Sequence, residues 1–371
     1  MANYGITIPF SSEPLSEQRD RYREIVDLGY TDVWTAEVDG FDGFTPLVLA
    51  AAWAPELRVG VAIIPAYTRG PATLAGSIAA LADAAPGRVV MGIGSSSNVI
   101  VERWNGIPFD EPYKKTRDMV RFLRSALAGE KITHDYETFS VSGYRLANVP
   151  AQQPKLLVAG LRDGMLRMAG RESDGAIINW LSAEDVLKVR PVVEAASGER
   201  TPEIVARLFV CPNPDAETVR AQAKRAIAAY LNVPVYADFH RSLGRGEQLQ
   251  GMWDNWQAGD RKAALDAIPD SVVDELIIHG SPEACREHIG RFVANGVDTP
   301  ALAIMPFAVS TPYKRSEISA TLARVRLALD GHPHEDEVVD GDVGLFERDL
   351  DRLDRCRFLI PLVIDLDDGL L

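Results

Sequence analysis

A (β/α)8 barrel is the fold this sequence predicts, and three observations predict it. Short β-branched runs alternate with helical apolar patterns from one end of the chain to the other. The runs are apolar throughout, not at every second residue, which means burial on both faces and a parallel sheet. Eight strand–helix units can be counted, the number that closes a barrel, although an open doubly wound sheet uses the same alternation.

Gly5–Phe10 is the first strand. A polar turn follows, then a helix from about Ser16 in which Tyr22, Ile25, Val26 and Gly29 recur at i, i+3, i+4 and i+7. Gly29 suits the left-handed residue that ends a helix, and Thr31–Thr35 reads as the second strand. Leu57–Ile64 and Arg88–Gly92 are the third and fourth, and Met119, Phe122, Leu123 and Ala126 mark the buried face of a helix. Lys131–Leu146 alternates polar and apolar residues around Tyr136, Phe139, Val141 and Tyr144, the pattern of a hairpin inserted before the fifth strand, Lys155–Ala159.

Arg171–Gly175 again ends a helix and leads into a strand, Ala176–Trp180. Ser182, with Asp185 three residues on, resembles a capping box that opens the next helix. Glu203–Val210 is the seventh strand, and Val219, Ala223, Ala226, Ile227 and Tyr230 mark the helix behind it. Asn232–Asp274, with Trp253 and Trp256, exceeds what the unit needs; such an insertion is a lid over a site or a subunit interface. Ser281-Pro282-Glu283 supplies an N-cap with proline at the first helical position, and Cys285, His288, Ile289 and Phe292 share one face. Ala294-Asn295-Gly296 then punctuates the approach to the eighth strand, Pro300–Met305. The barrel is expected over residues 1–330, with insertions near 129–153 and 232–275, and an acidic extension over 331–371.

The 371 residues carry 39 Lys+Arg against 53 Asp+Glu, a net −14, which argues against nucleic acid or an anionic membrane as partner. Cys211, Cys285 and Cys356 are far apart and form no CxxC pair, so a reducing cytoplasm is the expected compartment. The first residues lack the basic and apolar regions of a signal peptide, and Phe358–Ile364 is too short to cross a bilayer.

A barrel places function at the C-terminal ends of its strands. The residues there are Ser11 and Ser12, Glu37, Tyr67 to Arg69, Gly94 to Ser97, Gly160 to Arg162, and Asn179 with Trp180. No His-x-His, HExxH or carboxylate cluster lies on neighbouring strand ends, His332 and His334 falling in the tail, so no metal site is expected, and no Gly-x-Ser-x-Gly elbow supports serine hydrolysis. Gly92-Ile93-Gly94-Ser95-Ser96-Ser97 offers backbone N–H groups and three hydroxyls to a phosphate or a ring carbonyl, or merely permits a tight turn. Glu37 would point into the mouth as a reactive carboxylate, or serve as partner to a nearby arginine. Glu102-Arg103-Trp104 would line a cleft or anchor a loop.

Several stretches together resemble the bacterial luciferase-like flavin and deazaflavin oxidoreductases, and more closely their coenzyme F420-dependent branch, which includes methylenetetrahydromethanopterin reductase. The resemblance spans residues 3–330. It rests on Asp32-Val33-Trp34-Thr35-Ala36-Glu37, on Val61 through Pro71 with its Tyr67-Thr68-Arg69 turn, and on Ala85-Pro86-Gly87-Arg88 leading to Gly92-Ile93-Gly94. Val101 through Gly106 and Gly170 through Gly175 complete it.

The resemblance implies a (β/α)8 barrel with insertions, and a bulge with a non-prolyl cis peptide around Val61, Ala62 and Ile63 that backs the cofactor ring. It implies that Gly94, Ser95, Ser96 and Asn179 contact the cofactor, and that Gly160, Leu161, Arg162, Gly164 and Met165 receive its phosphate. Glu37, with Tyr67 or Glu102 as further candidates, would handle the proton; where the family often has Asp followed by His, Val38 follows here. Ser11, Trp104 and Trp180 would face a small-molecule substrate. The implied chemistry is hydride transfer with coenzyme F420. An FMN-dependent monooxygenase is the alternative and a non-catalytic cofactor-binding barrel a further one. The family commonly forms dimers, so a homodimer is expected.

Overall fold

The structure, a computed structural model, describes residues 3–10 and 13–305. Ser11 and the acidic extension lie outside the described residues. In chain order the strands are β1 (Gly5–Thr7), β2 (Asp32–Thr35), β3 (Arg58–Pro65), β4 (Val89–Gly94), β5 (Ile132–Asp135), β6 (Ser140–Tyr144), β7 (Lys155–Ala159), β8 (Gly175–Asn179), β9 (Glu203–Cys211), β10 (Ile277–His279) and β11 (Thr299–Ile304). The helices of the barrel layer are α1 (Arg19–Asp27), α2 (Thr45–Trp53), α3 (Pro71–Ala84), α4 (Pro112–Leu127), α5 (Asp163–Glu172), α6 (Ala183–Ser197) and α7 (Ala216–Leu231). Four more, α8 (Pro234–Leu243), α9 (Gly246–Gln257), α10 (Arg261–Asp266) and α11 (Asp270–Leu276), fill the long insertion, and α12 (Pro282–Ala294) completes the layer.

The parallel strands run β9-β11-β1-β2-β3-β4-β7-β8, and β8 pairs again with β9, so the ring closes as an eight-stranded (β/α)8 barrel. The open doubly wound alternative falls with that last pairing. β10 is a ninth strand that sequence patterning missed. It lies along the C-terminal half of β9, pairing Ile277–His279 with Phe209–Cys211, beyond the point where β8 pairs with Asn179 against Arg207. The first strand is shorter than expected: it ends at Thr7, the Ile8 N–H makes a last bond to the Trp34 carbonyl, and Pro9 offers no N–H to continue the ladder. The expected hairpin is the antiparallel pair β5–β6.

Inside the ring, Trp34, Val90, Leu157, Ile177, Val205 and Ala301 form one buried cluster. Trp34 dominates it. A Cβ on Gly5 or on Gly60, from the strands either side, would sit 2.5 Å from an indole carbon, so both positions leave the ring its space. The N-terminal end of the barrel is closed by charges that balance. Arg58 pairs with Asp32 and with Glu203 at 2.7 Å and donates to Thr299, while Lys155 takes the other Glu203 oxygen at 2.6 Å. Such a network is tolerated because every buried charge has an opposite neighbour.

α6 opens on the anticipated capping box. Ser182 Oγ accepts from the Asp185 N–H at 3.2 Å, and Asp185 returns the bond to the Ser182 N–H at 3.1 Å. The insertion helices build a second apolar cluster in which Met252 and Trp253 join Trp180, Phe209, Tyr230 and Ala303. They therefore pack against the C-terminal ends of β8, β9 and β11.

Candidate active site

The mouth of the barrel has a floor made of small residues. In β3 the pairing with β4 slips between Val61 and Ile64, and the Ala62–Ile63 peptide is cis. Ala62, Ile63 and Ala159 are only half-buried and cap the Trp34 cluster. On β4, a Cβ at Gly92 would come within 2.4 Å of the Val61 carbonyl oxygen, and one at Gly94 within 2.9 Å of Ile63 and 3.0 Å of Ala159. Larger residues would raise the floor into the opening. A planar ring laid there would meet backbone and small apolar groups. β4 continues into Ser95 and Ser96, both half-buried, with Ser96 in the left-handed region at φ 63°.

The next wall is a cradle of peptide N–H groups. Gly160 follows β7, and a Cβ there would lie 3.1 Å from the Leu166 nitrogen, so a side chain would press the first turn of α5 outward by a few tenths of an ångström. Leu166 N–H bonds the Arg162 carbonyl, which leaves the N–H groups of Asp163, Gly164 and Met165 at the helix start. Such a terminus suits a phosphate. Leu161 and Met165 pack against the main core, and Arg162 reaches Asp238 of α8 at 3.2 Å.

Glu37, just beyond β2, is clasped by the turn after β3. Arg69 Nη2 donates to its Oε2 at 2.8 Å and Arg69 Nε spans both oxygens at 3.2 and 3.3 Å. The Gly43 N–H adds a bond at 3.0 Å, and the Arg69 guanidinium lies 4.9 Å over the Phe44 ring. The sequence left Glu37 open between reactive carboxylate and arginine partner; the structure shows the pairing with Arg69. Tyr67 is buried and donates its hydroxyl to the Asp110 carbonyl. Burial, with the Asp110 and Glu111 carboxylates adding to it, pushes Tyr67 up to about 12, so it is a proton-bearing donor at neutral pH. Glu102 and Trp104 are exposed on a π-helical turn, Val99–Trp104, that Ile100 and Val101 anchor in the core, with Trp104 48% exposed.

On the far side, Asn179 ends β8 and donates to the Tyr236 hydroxyl of α8 at 3.4 Å. Trp180 does not present an open wall: it is 1% exposed, with φ 53°, stacked 4.2 Å from Phe209 and 4.7 Å from Tyr230. Its ring backs Phe209 instead of facing the opening. Two residues that sequence reasoning passed over, Arg207 and Tyr236, stand on this side. Arg207 carried a signal, as the one charge in the middle of the apolar run Glu203–Val210. Among the described residues no group of three or more His, Cys, Asp or Glu side chains is placed to hold a metal ion.

This geometry can be set beside known proteins. The sequence profile of the luciferase-like monooxygenases matches residues 3–299. The chain belongs to that family. Among curated relatives, 5,10-methylenetetrahydromethanopterin reductase of Methanolobus tindarius is 26% identical over 277 residues, 72% of this chain and 84% of the relative. Among solved folds, the coenzyme F420-dependent tetrahydromethanopterin reductase of Methanopyrus kandleri superposes with a TM-score of 0.71 at 18% identity, covering 88% of this chain and 98% of that one. The FMN-bound oxygenating component of 3,6-diketocamphane monooxygenase from Pseudomonas putida superposes at 0.61 and 17% identity, covering 89% and 98%. One of these solved proteins is described as coenzyme F420-dependent and the other is complexed with FMN, and this chain shares the fold of both. The glycine-lined floor and the N–H cradle at α5 fit a ring with a phosphate-bearing side chain.

Proposed function

We propose that this luciferase-like enzyme is a coenzyme F420-dependent oxidoreductase acting on a small organic molecule at the C-terminal mouth of its barrel. The observation that carries this reading is the pairing of the β3 bulge and glycine floor with the helix start at Gly160–Met165, one suited to a tricyclic ring and the other to its phosphate. The likeness to reductases that use this coenzyme supports deazaflavin over flavin.

Coenzyme F420, once bound, supplies the carbon that gives or takes the hydride, and the chain's own residues do the rest. Ala62, Ile63, Gly94 and Ala159 would hold the ring and keep water from the face laid against them. Ser95, Ser96 and Asn179 would meet the polar edge of the ring. Asp163, Gly164 and Met165 would donate their N–H groups to the phosphate, with Leu161 and Arg162 beside them. Glu37, oriented by Arg69, is the carboxylate that would hold or move the proton at its Oε1. Tyr67 stays protonated and fixes the Asp110 backbone, and the exposed Glu102 and Trp104 would line the entrance. Positioning of this kind accounts for a large part of the rate in such chemistry.

We also assign a homodimer to the outward faces of the adjacent helices α2 and α3. Their exposed residues are Thr45, Val48, Ala52, Ala72, Thr73, Ala80, Asp83 and Ala84, which hold one charge in a chain of net −14. Val48 is 43% exposed.

The activity test is a redox screen. Purified enzyme with reduced coenzyme F420 is given a panel of carbonyl, imine and alkene compounds, and the return of oxidised deazaflavin absorbance is followed. Turnover with at least one class is expected. Turnover only with reduced FMN and oxygen would overturn the reading in favour of a monooxygenase.

A further inference from the structure

We infer that Arg207 selects substrates bearing a carboxylate, which it holds at the mouth of the barrel opposite the cofactor floor. This inference rests on the mouth being the active site.

Position comes first. Along β9, Val205 faces the barrel interior with the Trp34 cluster, and residues two apart on a strand share a face, so Arg207 points inward one layer nearer the mouth. Its neighbours across the sheet are Asn179 of β8 and Ala301 of β11. β9 stands four strands from β3 in either direction round the ring, so Arg207 faces the β3 bulge across the opening.

Its charge is unmatched. The fully buried arginines meet carboxylates, Arg21 with Glu13 and Glu24 and Arg245 with Asp185 and Glu275, and so do Arg58, with Asp32 and Glu203, and Arg69, with Glu37, at the two ends of the barrel. Arg207 makes no ion pair among the described residues, and its Nε–H is buried without an acceptor. The Phe209 ring at 5.3 Å holds the guanidinium plane but neutralises nothing. A buried donor without a partner is costly to keep, and ligand recognition is a reason to keep it.

The surrounding groups are donors too. Asn179 donates its amide to the Tyr236 oxygen, which frees the Tyr236 hydroxyl proton for another acceptor. Burial raises both Tyr236 and Tyr230, opposed at both by the Arg207 charge and at Tyr230 also by a hydrogen bond from Arg207 to the phenol oxygen, so both phenols keep their protons and can donate them. Asp39 acts on Tyr230 from the loop after β2 but forms no ion pair with Arg207. A single unpaired cation flanked by Asn179 and two protonated phenols matches a singly charged anion, whose two oxygens the planar guanidinium edge can meet, and would leave the second charge of a phosphate dianion uncompensated.

The test is calorimetric titration of the full-length chain, with and without oxidised coenzyme F420, using benzoate, benzamide and phenylphosphonate as probes. Wild type is expected to bind benzoate at least tenfold more tightly than benzamide or phenylphosphonate. R207M should erase the preference for benzoate over benzamide, and R207K should keep part of it. Coenzyme F420 affinity should change less than twofold in both variants. Equal binding of benzoate and benzamide by wild type, or no benzoate binding, would overturn the inference even if R207M fails to fold. So would tighter phenylphosphonate binding, or an R207M variant that loses the coenzyme while keeping benzoate. If wild type prefers benzoate but binds no coenzyme F420, the cofactor assignment fails and the carboxylate site stands.

Discussion

The Glu37–Arg69 pair shows how one residue's surroundings decide its chemistry. Two guanidinium nitrogens and the Gly43 N–H hold the carboxylate in one orientation at the mouth. Removing its charge while keeping its shape should therefore act on chemistry and leave cofactor binding alone. E37Q is expected to lower turnover about 100-fold, the lower end for loss of a proton-handling group, with coenzyme affinity unchanged; steady-state kinetics and a binding titration check both halves. Gly60 tests packing at the same scale. A methyl there meets the Trp34 ring at 2.5 Å, so G60A should cost about 1–3 kcal/mol in denaturant unfolding, as overpacked cores do. Glu37 and the Tyr67–Arg69 turn could be found in the sequence because strand ends are where a barrel collects function. Their mutual contact could not, since they are some 30 residues apart and meet only once β2 and β3 pair. Arg207 was hidden for a related reason: a charge inside an apolar run gains meaning only when closure of the ring brings Asn179, Tyr230 and Tyr236 around it.

Elements were legible where a local pattern sufficed. The capping box of α6, the β5–β6 hairpin and the seven barrel strands β2, β3, β4, β7, β8, β9 and β11 follow from residues close in sequence. β10 was missed because three residues give no periodicity, and its existence depends on the free edge β9 offers above β8. The four insertion helices were left as an unresolved stretch because their apolar residues serve the second core, not the barrel. α5 provides the element-scale prediction. A methyl at Gly160 would meet the Leu166 nitrogen at 3.1 Å, so G160A should push the first turn of α5 outward by a few tenths of an ångström and weaken cofactor binding about threefold to tenfold, measured by titration. S182A, which removes the α6 cap, should instead cost about 1 kcal/mol of stability and leave the cofactor site intact.

At the scale of the whole molecule, two histidines, the buried His240 and the half-buried His288, make the fold acid-sensitive. Burial pushes His240 down to about 3, and burial with Arg291 nearby takes His288 to about 4. In the unfolded chain both imidazoles protonate near pH 6.5. Between those limits the unfolded state binds more protons, so stability falls as the pH drops from about 6.5 toward 4 and is flat above. Two such groups give a slope of up to about 2.7 kcal/mol per pH unit, and H288Q should reduce it by up to half; denaturant midpoints across the pH range measure this. V48D, which places a charge on the α2–α3 face, is expected to convert dimer to monomer in sedimentation without changing the far-ultraviolet spectrum. The central claim concerns what lies on the glycine floor, and equilibrium binding of oxidised coenzyme F420 and of FMN to the purified chain tests it most directly. Micromolar or tighter binding of coenzyme F420, with FMN bound at least tenfold more weakly, is the expected result. Binding of FMN alone would contradict the account.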